Sequence, residues 1–195
     1  MLDPSLVPTS SPFGSTGPSD VCGDSICSTN EDSDTCSADC AERELTTTFN
    51  FSLGSEGNIF EVVALRDLSV SSLVINAMTQ GQGAVKVYSR DGSYSGHEQN
   101  SEGWELIYDN PSVTHMKRGQ ATELGNFETA VLINSGATQS FFVSSSRGLV
   151  YRAGTHEGVA FASDESIIVK EGIGTTGEFD GSTTYSPRIF GGIIR

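Results

Sequence analysis

A chain of 195 residues holds material for one well-buried domain of about 150 residues and a tail. Its formal net charge of -14, with a sequence pI near 4.4 and no basic run longer than Lys117-Arg118, excludes the phosphate-tracking stripe of a nucleic-acid binder. No stretch approaches the roughly 20 apolar residues of a spanning helix, so membrane insertion is not expected; 22 glycines with only 18% charged residues suit an all-β extracellular module better than a helical bundle.

Residues 1–20 hold four of the six prolines among Ser and Thr. That composition buries no core and predicts an extended, disordered linker, with a glycosylated stalk as the functional alternative. The N-terminus has no charged-then-apolar leader. The cysteine usage that follows nevertheless predicts a secreted or cell-surface chain whose leader was removed or lay upstream of Met1.

Residues 21–44 form a Cys-rich acidic segment in which Cys22, Cys27, Cys36 and Cys40 fall as C-x4-C-x8-C-x3-C. Val21 and Ile26 are its only large apolar side chains, so two disulfides are the expected source of order, worth about 2–4 kcal/mol each. Three pairings are possible and the spacing does not choose among them. Residues 1–44 carry nine acidic side chains against Arg43 alone, which makes cations the natural counterpart. Asp24, Asn30, Glu31, Asp32, Asp34 and Asp39 are hard oxygen donors of the kind Ca²⁺ takes. Asn30, Asp32 and Asp34 match the first three ligand positions of an EF-hand loop, but Thr35 replaces its glycine and Ala41 its bidentate glutamate. Plain solvated acidity is the competing reading. Zinc on the four thiolates is disfavoured by the same acidic, oxidising context.

From Leu45 onward, residues 45–195 alternate with period two: Phe49, Phe51, Leu53; Phe60, Val62, Ala64; Val85, Val87; Trp104, Leu106, Tyr108. A phase change between Leu68-Val70 and Leu73-Ile75-Ala77 predicts a bulge at Ser71-Ser72. Further strands are expected at Ala130 to Ile133, Ser140 to Ser144, Leu149 to Arg152, Val159 to Ala162, Ser166 to Lys170 and Arg188 to Ile194. Turn clusters such as Asp91-Gly92 and Ser135-Gly136 separate them. The fold class is therefore all-β: an antiparallel, jelly-roll-like β-sandwich of about ten strands.

Candidate chemistry is sparse. The loop DGSYSGHEQNSEGW offers Tyr94, His97 and Glu98 as a ligand-binding rim, with Tyr94 the ring expected to be exposed for stacking on a sugar and Trp104 expected to be buried; a polar loop without function is the plainer reading. Glu98, Glu105, Asp164, Glu165 and Asp180 are the acids a jelly-roll glycosidase would need. No nucleophile elbow or phosphate loop accompanies them. His97, His115 and His156 are too far apart for a His-built metal motif. Asn50-Phe51-Ser52 is a glycosylation sequon, on a segment expected to be an edge-like strand. Arg188 is expected to pair with Asp164 or Asp180.

The segments GNIFEVVALRDLSVSSLVIN, VKVYSRDGSYSGHE, WELI, YRAGTHEGVAFASDESIIVKEGIG and YSPRIFGGII, in that order from Gly57 to the C-terminus, resemble an uncharacterised β-sandwich domain of secreted diatom and marine-bacterial proteins. Phe190-Gly191 departs from the Trp-Asn of that pattern. Cys22, Gly23, Asp24, Cys27, Glu31, Cys36, Asp39 and Cys40 resemble a short secreted CGDG-type motif, with Ser33 where that motif often has another cysteine. The PTSSP stretch is similar to linkers of large diatom surface proteins. The resemblance implies no catalytic activity. It fits a binding or structural module contacting polysaccharide or a surface protein, with an enzyme domain and a pure spacer as the alternatives.

Overall fold

The computed structural model describes Cys36, residues 43–179 and residues 182–195. The chain divides into Met1–Ala41 and Glu42–Arg195, and the second unit carries the fold described below. The linker, three of the four cysteines and all six proposed calcium ligands lie outside the described residues. Cys36 is buried and disulfide-bonded.

The described residues from 43 onward form twelve strands and no helix: β1 (Leu45–Thr46), β2 (Leu53–Ala64), β3 (Leu68–Asn76), β4 (Gly81–Asp91), β5 (Glu105–His115), β6 (Ala121–Ile133), β7 (Thr138–Ala153), β8 (Ala160–Ser163), β9 (Ile167–Lys170), β10 (Gly172–Thr175), β11 (Thr184–Phe190) and β12 (Gly192–Ile194). They form a four-stranded sheet, β1-β12-β3-β6, and an eight-stranded sheet, β5-β4-β7-β11-β10-β2-β9-β8, in which β2 also pairs directly with β7. All pairings are antiparallel, as the short turns between alternating segments require. The expected sandwich is present.

Phe60, Val62 and Ala64 of β2, Leu73 and Ile75 of β3, Val85 and Val87 of β4, and Phe141 and Val143 of β7 share one core cluster. Phe60 stacks between Phe141 and Phe190, with centroids 5.8 and 4.3 Å away. Each fully buried side chain of this size contributes about 1.5–3 kcal/mol of burial free energy.

Side chains alternate across a strand, so Ile59 and Phe142 face away from that core. They nucleate a second cluster with Tyr94, Ile173 and Phe179, against which Tyr88 and Trp104 pack. Phe142 meets Phe179 edge-on at 5.1 Å, and Phe179 is held at φ 43°, a left-handed backbone in which a bulky residue is strained. Glu178, beside it, accepts hydrogen bonds from Lys86 (3.1 Å) and Tyr88 (2.7 Å) on β4. The central strands β2 and β7 are thus covered on both faces, so Ile59 beside Phe60 in β2 and Phe141-Phe142-Val143 in β7 depart from clean alternation.

The expected bulge is where the phase change put it: the β3–β6 register shifts on both sides of Ser72, and the Ser71 and Ser72 N–H groups turn to the Arg195 carbonyl. Three expectations need correction. Phe49 to Leu53 is not a strand; β2 begins only at Leu53, and Asn50 is an exposed residue between β1 and β2. Trp104, Leu106 and Tyr108 do not share a buried face, because an extra residue at Ile107 shifts the β4–β5 register; Leu106 is 46% exposed while Ile107 and Tyr108 join the core, and Trp104 packs half-buried on the opposite cluster. Arg188 does not pair with Asp164, whose carboxylate accepts the Ser166 and Ile167 N–H groups at 2.7 and 2.9 Å. Arg188 instead lies over the Tyr151 and Tyr185 rings, 5.6 and 5.7 Å from their centroids. Asp180 lies outside the described residues.

Candidate functional site: a polar cleft on the eight-stranded sheet

A bulge in the pairing against β2 sets up the site. β9 and β10 run consecutively along β2, but the register moves by one residue between the Val62–Val169 and Ile59–Ile173 pairs. Glu171 occupies that break and is only 4% exposed. Its carboxylate accepts N–H groups of Thr155 and His156 and the Thr155 hydroxyl, while its own N–H and C=O bond Val159 and Gly158. A buried carboxylate with several donors is well compensated, and here it fixes the turn between β7 and β8. That turn carries Glu157.

The opposite wall is the loop between β4 and β5. Ser93 donates to Glu61, which is also paired with Lys170 at 3.0 Å, so the loop is tied down onto β2 and β9. The His97 N–H closes a turn onto the Tyr94 carbonyl at 2.8 Å, and the Trp104 indole N–H donates to the His97 carbonyl at 3.0 Å. Tyr94 is 3% exposed, which corrects its expected role as an exposed stacking ring: the apolar ring belongs to the outer core. Its hydroxyl donates to Glu157 at 2.8 Å. Burial, then that hydrogen bond, then the charges of Glu157, Glu61 and Glu98 hold the phenol far above its usual titration range, so it remains a donor.

Between these walls lies a cleft of about 430 Å³ lined by Gly96, Glu98, Gln99, Asn100, Glu157, Ile173, Thr184 and Ser186. Its floor comes from β10 and β11. Glu157 is held by two neutral donors, Tyr94 from one side and the Ser186 hydroxyl from the other. Glu98 accepts the Gly96 N–H at 3.0 Å, with Gly96 at φ 82°, a conformation that favours glycine.

Of the three residues nominated in this loop, Glu98 faces the cleft, Tyr94 lies beneath it, and His97 is half-buried behind it with a buried Nδ1 that has no hydrogen-bond partner. The other nominated acids do not join Glu98. Glu105 lines a separate depression of about 350 Å³ with Arg90, Asp91 and Leu132; Asp164 caps backbone; Glu165 pairs with Arg43. The residue that sequence reasoning missed is Glu157, whose turn, Thr155-His156-Glu157-Gly158, carries a turn signal but nothing that links it to a loop some sixty residues earlier. Among the described residues no group of three or more His, Cys, Asp or Glu side chains is arranged to hold a metal ion. No protein-family model and no curated protein matches the chain.

Proposed function

We propose that residues 43–195 act as a non-catalytic extracellular or cell-surface module that binds a saccharide in the cleft between the β4–β5 loop and β11. The observation that supports this is the composition of the cleft: carboxylate, amide and hydroxyl groups of Glu98, Gln99, Asn100, Glu157, Thr184 and Ser186 on a floor supplied by strands. Sugars are bound through such hydrogen-bond partners, and a site carried by hydrogen-bonded turns keeps the ordering cost of binding low. Secretion rests on the Cys-rich segment and the Pro/Ser/Thr linker, and a calcium contribution rests on the acidic residues Asp24 to Asp39.

The test is a polysaccharide and glycan-array screen on the full chain, with calcium and with chelator, beside a Thr184→Trp variant that fills the cleft. Specific retention of wild type, lost in the variant, is the expected outcome. A blank array for the folded wild type overturns the reading and leaves contact with a surface protein, or a spacer role, in its place. The enzyme alternative is favoured by one observation, that Glu98 and Glu157 share the cleft, as two carboxylates do in glycosidases. New reducing ends that disappear in Glu157→Gln would establish it.

A further inference from the structure

Among the described residues, Glu98 and Glu157 are two of many carboxylates without an ion pair, Glu56, Glu102, Glu105 and Glu128 included; what sets this cleft apart is that two of them share it with no basic side chain in its lining. Glu61 pairs with Lys170, Glu178 with Lys86, Glu165 with Arg43, and Glu44 and Glu123 with Arg195. All 11 basic side chains of the chain, from Arg43 to Arg195, fall among the described residues. None of them lines the cleft, and among the described residues neither Glu98 nor Glu157 has an ion-pair partner. Glu157 is nevertheless fixed in place, with one neutral hydroxyl donor on each carboxylate oxygen, which leaves lone pairs free on both atoms. Two carboxylates that share a shallow depression, oriented but uncompensated, attract a cation and repel an anion.

We infer that the ligand this cleft selects is an amine-bearing saccharide, its protonated amine meeting Glu157 and Glu98 while Gln99, Asn100, Thr184 and Ser186 take its hydroxyls. The inference rests on the saccharide-binding reading above and deepens it: uronate-rich or sulfated glycans are rejected, and N-acetylation of the ligand removes the charge that the site pairs. A lone metal ion is a poorer fit, because among the described residues no group of three or more His, Cys, Asp or Glu side chains is arranged to hold one.

Calorimetric titration of the full chain at about pH 6, with oligomers of glucosamine, N-acetylglucosamine, glucose and glucuronic acid of equal length, tests this. The expected result is that the glucosamine oligomer binds at least about tenfold more tightly than its acetylated counterpart, that the glucuronate oligomer does not bind, and that Glu157→Gln and Glu98→Gln each remove about tenfold. A chain of net charge -14 attracts any polycation, so the double variant Glu105→Gln/Glu128→Gln, which removes two charges away from the cleft, serves as the control and should bind like wild type. Should Glu157→Gln fail to fold for want of its two anchors, Glu98→Gln carries the comparison alone.

Equal or tighter binding of the acetylated or neutral oligomer overturns the inference and leaves the saccharide site standing. So does a loss in the control as large as that in the cleft variants. Binding of none of the four overturns the inference, and a blank array beside it removes the general reading too.

Discussion

His115 shows how much one side chain reports about its surroundings. It is fully buried at the end of β5, with Nδ1 donating to the Val113 carbonyl at 3.0 Å and Nε2 accepting from the Ser145 hydroxyl at 2.9 Å. Burial lowers its pKa; the Val113 and Gly81 carbonyls oppose the shift, and the nearby Arg147 charge adds to it. The folded ring therefore takes up a proton less readily than the ring of the unfolded chain, whose ordinary value is near 6.5. A base whose folded pKa is lowered stabilises the fold fully above the unfolded value and progressively less as pH falls through it, because only the unfolded state then gains a proton. Thermal unfolding of wild type and His115→Asn, compared between pH 7.5 and pH 5.5, should show wild type losing up to about 1.4 kcal/mol per pH unit more than the variant. Parallel curves would mean that the folded ring takes up its proton at the same pH as the unfolded chain. Nothing in the local sequence Val113-Thr114-His115 announces this, since the ring's Ser145 partner and the Arg147 charge come from β7, some thirty residues on.

At the scale of elements, the break between β9 and β10 positions the cleft, and Gly172 makes it possible. A methyl group at Gly172 would fall onto the Ile59 carbonyl and the Phe60 Cα, both main chain and neither able to swing away. Gly172→Ala should therefore lower stability by about 1–3 kcal/mol, measured as a shift of the urea midpoint, and disturb the Thr155–Val159 turn that Glu171 holds. A midpoint within error of wild type would show that β2 and β10 can separate without cost. The strands themselves were partly legible from period two: β2 and β4 appear around Phe60-Val62-Ala64 and Val85-Val87, whereas β7 runs unbroken through the two strands expected at Ser140 to Ser144 and Leu149 to Arg152, and the one expected at Arg188 to Ile194 is two, β11 and β12. β6 was largely missed, because only its last four residues read as a strand. Its first part, Ala121-Thr122-Glu123-Leu124-Gly125-Asn126, is polar and carries a bulge, as suits a strand at the sheet's edge. Edge position also explains why β5 accommodates Pro111 at a register shift.

For the domain as a whole, stability resides in the two larger clusters on either side of the large sheet and a smaller one of Phe51, Val150 and Ile189, and exposed apolar residues contribute little. Phe60→Ala, which empties the stack between Phe141 and Phe190, should cost about 3–5 kcal/mol. Leu132→Ser, at a position 80% exposed on β6, should change stability by no more than about 0.5 kcal/mol. Denaturant unfolding of both separates the cases; a large loss at Leu132 would mean that the β6 edge is covered in solution. Composition, turn residues and alternation by themselves determined the class: low charge density, many glycines and period-two apolar runs leave a chain no other way to bury its side chains than in facing antiparallel sheets. Tertiary structure alone decided the second core and the cleft. Tyr94 in a Gly/Ser loop looks solvent-bound until Ile59, Phe142 and Phe179 are brought beneath it, and Glu157 becomes Glu98's neighbour only because a one-residue bulge at Glu171 turns its loop toward the β4–β5 loop. Local pattern reports which face of a strand is apolar; which loops meet over the outer face depends on pairings between residues far apart in the chain, and those leave no periodicity to read.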